Sequence, residues 1–148
     1  CYSRSIGLTY LDPDFGKTLK EADVLCLMET HVHEGNLEYL NIPGFQLLGQ
    51  KNRKKNHRLN TAPGGVAIFV KEKVVNLFTI LKSENEDTLC LKLKKELTGT
   101  CQDIFTVTCY LSPRKENGNS DSKILKLTQE VMSFQEKGHV IINGDLNA

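Results

Sequence analysis

The sequence predicts an α+β protein in which two packed sheets carry helices on their outside. Three observations lead there. Short apolar runs of strand length recur at residues 23–28, 66–70, 104–110 and 138–145. Two segments, near residues 13–21 and 122–137, instead space their apolar residues at the helical period. The order is a helix, several strands, a helix and a strand, which is not strict βαβ alternation, and two sheets covered by helices would bury those runs.

The composition fits a globular chain. Of 148 residues, 39% are hydrophobic and 25% charged, enough for one soluble unit or part of a larger one. The net charge of +1 identifies no partner, but its distribution is uneven: Lys51, Arg53, Lys54, Lys55 and Arg58 crowd together while the acids are spread out. No stretch approaches the roughly 20 apolar residues of a membrane span, and no signal peptide is visible, which favours an intracellular protein. Cys1, Cys26, Cys90, Cys101 and Cys109 are odd in number, form no C-x-x-C pair and fall mostly within apolar runs. They read as reduced thiols rather than a disulfide frame or zinc site. The chain begins at Cys1 without methionine and stops just after its most informative motif, so residues 1–148 are expected to be a partial domain, incomplete at both ends.

In chain order, Asp12 and Pro13 suit an N-cap and a first helical residue, with Phe15, Leu19 and Ala22 following at helical spacing. Residues 23–28 are apolar enough for a strand buried on both faces, and the run ends on Glu29, Thr30 and His31. A brief helical turn is expected at 34–41 and a short strand at 45–48. Gly64 and Gly65 allow a tight junction from the basic stretch into the strand at 66–70, because glycine tolerates backbone angles closed to other residues. Apolar runs at 74–80 and 88–93 come next; in the second, Leu89, Leu91 and Leu93 alternate with Cys90, Lys92 and Lys94, predicting one wet face. After the strand at 104–110 and a polar loop, Ile124, Leu127, Val131 and Phe134 mark a helix with Gly138 at its C′ position.

The last stretch, residues 138–147, ends a buried strand on Asp145 and Asn147. In extended backbone these two share a side while Leu146 turns the other way. A carboxylate beside an amide suits phosphate chemistry, since the first polarises a water or holds a metal and the second donates to a phosphoryl oxygen. An Asx-type turn that merely caps backbone groups fits the same residues. Three strands therefore end on a functional-looking group, Glu29, Tyr110 and Asp145, a pattern that suggests convergence at one lip.

Four segments in order, Leu27-Met-Glu-Thr30, Gly64-Gly-Val-Ala-Ile-Phe69, Tyr110-Leu-Ser-Pro113 and Gly144-Asp-Leu-Asn-Ala148, resemble the endonuclease/exonuclease/phosphatase superfamily with the DNase I-like fold. Among its members the chain looks most like the endonuclease domains of non-LTR retrotransposons, within a reverse-transcriptase polyprotein. The resemblance implies a four-layer α/β/β/α sandwich of two mixed sheets. It implies Glu29 as a ligand for Mg²⁺ or Mn²⁺, Tyr110 near the scissile phosphate, Asp145 orienting or deprotonating the attacking water, and Asn147 holding the phosphoryl group. DNA is the implied substrate and the nucleus the implied location. The basic stretch with Arg53, Lys54, Lys55 and Arg58 fits either a contact with the DNA backbone or a solvated loop that aids solubility.

The family's first-strand asparagine motif and its C-terminal Asp-His pair have no counterpart here, and His31, His33, His57 and His139 stand in the wrong places to substitute. Nicking by residues 1–148 alone is therefore not expected. Three functions are compatible with these residues: a metal-dependent DNA endonuclease domain, a phosphatase or exonuclease of the same superfamily, and a truncated, non-catalytic interaction module.

Overall fold

The computed structural model describes residues 13–32, 41–52, 64–86, 88–111 and 120–147. The chain divides into two units, Cys1–Val75 and Asn76–Ala148.

The first unit holds helix α1 (Pro13–Glu21) and strands β1 (Val24–Met28), β2 (Phe45–Lys51) and β3 (Val66–Lys71). The sheet order is β1-β3-β2, antiparallel throughout. Central β3 is buried from Val66 to Val70, which explains five consecutive apolar residues without alternation. On one face, Ala67 and Phe69 meet Leu25, Val32, Ile42 and Phe45, with Leu19 and Ala22 packed against them. That contact uses the apolar stripe read from the sequence. The Lys71 Nζ donates to the Lys20 carbonyl at the end of α1 (2.7 Å), and Asp23 lies 3.6 Å from Lys71 Nζ and 3.2 Å from Lys73 Nζ. These bonds tie the helix terminus to the strand ends beneath it. Strand β2 runs past the expected residue 48 because a bulge between Leu47 and Gly49 absorbs the register shift and lets pairing continue to Lys51.

The expected run at 74–80 is divided. Residues Glu72–Leu77 form a 3₁₀ turn with no buried side chain, and only β4 (Phe78–Leu81) pairs in a ladder. The second unit continues with β5 (Thr88–Leu93), the short helix α2 (Lys95–Thr98), β6 (Asp103–Tyr110), helix α3 (Ser120–Gln135) and β7 (Gly138–Asp145). Its order is β4-β5-β6-β7, with β6 and β7 parallel and the other pairs antiparallel. Parallel neighbours need a crossover, and α3 supplies it. The fold is thus α+β, with two sheets and a helix packed on each.

Helix α3 buries Leu127, Val131 and Phe134 against Cys90, Phe105, Val107, Cys109 and Leu111. Phe105 and Phe134 stack with centroids 5.0 Å apart and planes 8° from parallel. Of the four helix residues expected in the core, Ile124 is instead 43% exposed. The helix stops at Gln135, and Gly138 is not its C′ residue but the first of β7, where a Cβ would collide with the Asp103 carbonyl. The predicted wet face of β5 is also corrected. Residues Thr88 to Leu91 are buried on both faces, because α3 covers Cys90, while half-buried Lys92 bonds Asp103 at 2.6 Å and lies over the Phe105 ring. The sequence predicts a buried β7; among the described residues it is the last strand of its sheet, with Ile141 53% and Ile142 48% exposed. Cys90 and Cys109 are buried, as expected, whereas Cys101 is exposed.

The Lys92 ammonium, with the Lys95 backbone N–H, holds the Asp103 carboxyl below its ordinary value of 3.8. Protonation therefore favours the unfolded chain: this contribution is complete above 3.8 and is lost as pH falls through the lower folded value. Melting temperatures taken from neutral to acidic pH should fall less steeply in Asp103→Asn than in the parent on the acid limb.

Candidate functional site

Parallel register sets the site in the second unit. It aligns Thr108 with Asn143, Cys109 with Gly144 and Tyr110 with Asp145, so the tyrosine and the aspartate share one face at the same end of adjacent strands. That face is opposite the one α3 covers, since Phe105, Val107 and Cys109 alternate with Thr106, Thr108 and Tyr110. Tyr110 is buried and Asp145 exposed. One row further back, the Thr108 hydroxyl is fully buried without a hydrogen-bond partner, a polar feature of this face that the sequence reading missed.

Beyond the strand ends, Leu111 works as a clamp. Its N–H donates to the Asp145 carbonyl (2.8 Å), and its own carbonyl accepts from the Asn147 side-chain Nδ2 (2.6 Å). The Leu111 side chain belongs to the core under α3, so apolar packing fixes the backbone to which both polar residues are attached. The Asn147 backbone N–H donates to Asp145 Oδ1 (3.0 Å), which is the Asx-type turn that the sequence also allowed. Asn147 takes φ 44°, so it does not simply continue the strand beside Asp145. One of its two amide hydrogens is held by Leu111, and the other remains to be offered elsewhere. The segment Tyr110-Leu-Ser-Pro113 includes Leu111 but does not reveal this role, because Leu111 acts through backbone atoms on residues far along the chain. Gly144 (φ 143°) is required at the crossing: a Cβ there would overlap the Cys109 carbonyl, so only glycine lets β7 lie this close to β6.

The first unit carries Glu29, exposed at the end of β1. Glu29 and His31 both adopt left-handed backbone, φ 53° and 52°, which costs on the order of 1 kcal/mol for each such residue. Opposing that strain, the Thr30 and His31 N–H groups donate to the Gly65 and Gly64 carbonyls at 3.4 and 2.9 Å. The glycine pair read from the sequence as a junction is thus also the acceptor for the kink. His31 and His139 are exposed.

Tyr110, Asp145 and Asn147 are brought together within one sheet, and Glu29 belongs to the other unit. Arg53, Lys54, Lys55 and Arg58, residues 34–40 of the turn expected at 34–41, and Ser112 and Pro113 lie outside the described residues. Among the described residues no group of three His, Cys, Asp or Glu side chains could enclose a metal ion. An exposed carboxylate such as Glu29 still fits Mg²⁺ or Mn²⁺, because such ions keep several waters and need only one or two protein carboxylates besides phosphate oxygens. Among the described residues no helix is long and apolar enough to cross a membrane.

Two substitutions separate the constraints on the β6–β7 end. Gly144→Ala should cost about 3 kcal/mol in urea denaturation, as the methyl group meets a backbone atom that cannot swing aside. Asn147→Ala, which removes one hydrogen bond close to solvent, should cost only about 1 kcal/mol.

Several solved structures share this fold. The human Nocturnin catalytic domain with bound sulfate anion superposes with TM-score 0.57 at 20% identity, covering 97% of this chain and 60% of that one. The endonuclease domain of TRAS1, a telomere-specific non-LTR retrotransposon, gives 0.56 at 13% identity, covering 98% and 55%. The AP endonuclease LMAP from Leishmania major gives 0.55 at 16%, covering 96% and 52%. The chain thus spans little more than half the length of these structures, and at such identities the likeness establishes the fold. Among curated proteins none matches. Residues 9–148 match the model of the Endonuclease/Exonuclease/phosphatase family, and the chain belongs to that family.

Proposed function

We propose that the whole protein is a metal-dependent phosphodiesterase that nicks DNA, of the kind carried by non-LTR retrotransposons. The observation that carries this reading is the pairing of Tyr110 with Asp145 at one end of two parallel strands, with Asn147 anchored beside them. Hydrolysis of a phosphodiester needs a base to orient and deprotonate water, and donors that meet charge growing on the phosphoryl oxygens. Asp145, exposed and held by a backbone donor at one oxygen, suits the first task. The remaining Asn147 amide hydrogen and the Tyr110 hydroxyl suit the second. Glu29 would hold Mg²⁺ or Mn²⁺, an ion that supplies positive charge to phosphate oxygens when bound. The likeness to the TRAS1 endonuclease domain and the LMAP endonuclease favours DNA over a small phosphomonoester.

The metal reading is tested on the chain itself by NMR. Mn²⁺ should broaden resonances around residues 28–31 in weak, saturable fashion, and Glu29→Gln should abolish the response; an unchanged response in that variant would rule Glu29 out. In the whole protein, Asp145→Asn should lower plasmid nicking by about 10²–10⁴-fold without lowering the melting temperature to match. Cleavage of phosphomonoesters with no nicking at all would instead assign a phosphatase. For the basic stretch, serine at Arg53, Lys54, Lys55 and Arg58 together should flatten the salt dependence of DNA binding by about three units of log–log slope. An unaltered slope would leave that stretch without a part in binding.

A further inference from the structure

The pairing of β1 with β3 ends in register at Met28 and Val66, and the chain then turns through Glu29, Thr30 and His31. Thr30 sits between two left-handed residues. Just past the ladder its N–H donates to the carbonyl of Gly65, which is buried and at φ 96°. A Cβ on Gly65 would stand 2.5 Å from Thr30 Oγ1 and 3.3 Å from the Lys51 carbonyl oxygen. The Thr30 side chain therefore occupies room that exists only because residue 65 has no side chain. Polarity does not explain why it is there: Thr30 Oγ1 is buried with no hydrogen-bond partner, and so are Gln50 Oε1 and Asn52 Oδ1 at the neighbouring end of β2. No side-chain hydrogen bond latches Thr30 in place. Shape does.

We infer that Thr30 and Gly65 are positioning residues for Glu29. The branched side chain of Thr30, seated on the bare backbone of Gly65, fixes the left-handed kink and so the direction in which the Glu29 carboxylate leaves the strand. Two backbone bonds alone, one of them 3.4 Å long, would leave three residues with two strained φ angles free to relax. The inference rests on the reading of Glu29 as a metal-binding carboxylate and adds to it the residues that aim this carboxylate.

The test compares substitutions at residues 30 and 65 by Mn²⁺ titration, amide exchange and thermal melting. Thr30→Val keeps the branch and removes the orphaned hydroxyl; it should match the parent in Mn²⁺ affinity and melt no lower. Thr30→Ala removes the branch and should weaken Mn²⁺ binding about tenfold, as loss of a group that orients a metal ligand does. Exchange at the Thr30 and His31 amides should become about tenfold faster in that variant. Gly65→Ala should be less stable than the parent, and combining it with Thr30→Ala should recover part of the loss, because the contact at Oγ1 is gone while the strain at φ 96° remains. Parental affinity and exchange in Thr30→Ala, or a Thr30→Val variant that behaves like Thr30→Ala, would overturn the inference. A parent chain with no Glu29-dependent Mn²⁺ response would overturn the metal reading instead, while amide exchange and the double substitution still decide whether these two residues hold the kink.

Discussion

The parallel pairing of β6 with β7 is the constraint on which the second unit depends. Two parallel neighbours cannot be joined by a tight turn, so the chain must cross over, and α3 does so while its Leu127, Val131 and Phe134 seal one face of the sheet. Burial of β7 itself contributes little, since Ile141 and Ile142 are both about half exposed. What holds β7 is its ladder to β6, the packing of Val140 against the core, and the close approach that Gly144 permits. Once that register is fixed, Tyr110 and Asp145 have no other placement. The polar end is then closed by Leu111, whose side chain serves the core and whose backbone serves Asp145 and Asn147.

Strain is distributed unevenly along the chain. Among the described residues the non-glycine positions with positive φ are Glu29, His31 and Asn147, and all three stand where a strand ends on a candidate functional group. Such conformations persist only where surrounding bonds over-determine them. Here the bonds are visible: Gly64 and Gly65 accept from the first kink, while Asp145 and Leu111 hold Asn147 from two sides. The two units meet the same requirement by different means, one through a glycine pair on the adjacent strand and the other through a leucine rooted in the core.

Much of this was legible in the sequence where a single physical signal dominates. The unbroken apolar run of β3 announced a strand that is buried from Val66 to Val70, and Leu127, Val131 and Phe134 announced the face of α3, whereas β1, whose run predicted burial on both faces, buries only Leu25. Where two signals competed, the pattern misled. Alternation in β5 pointed to a wet face, yet Cys90 lies in the core, and Lys92 spends its charge on Asp103 rather than on water. The apolar residues of β7 looked buried, but among the described residues β7 is the last strand of its sheet, and Ile141 and Ile142 are about half exposed. The candidate groups were legible one by one; the Leu111 clamp and the seat of Thr30 on Gly65 were not, because both arise from approaches between distant parts of the chain.

The register of β7 also bears on how such a sequence could change over generations. Side chains on a strand alternate between faces, so gaining or losing one residue between Gly138 and Asp145 would invert the end of the strand. Asp145 would then turn toward the face sealed by Phe134 and Val131, while a neighbour took its place beside Tyr110. A substitution there alters one group, whereas a single-codon insertion reverses every group downstream of it within the strand. The count of residues in this segment is thus held more tightly than most of their identities. Divergent lineages should preserve the spacing from Gly138 to Asp145 even where Ile141 and Ile142 have drifted to other residues.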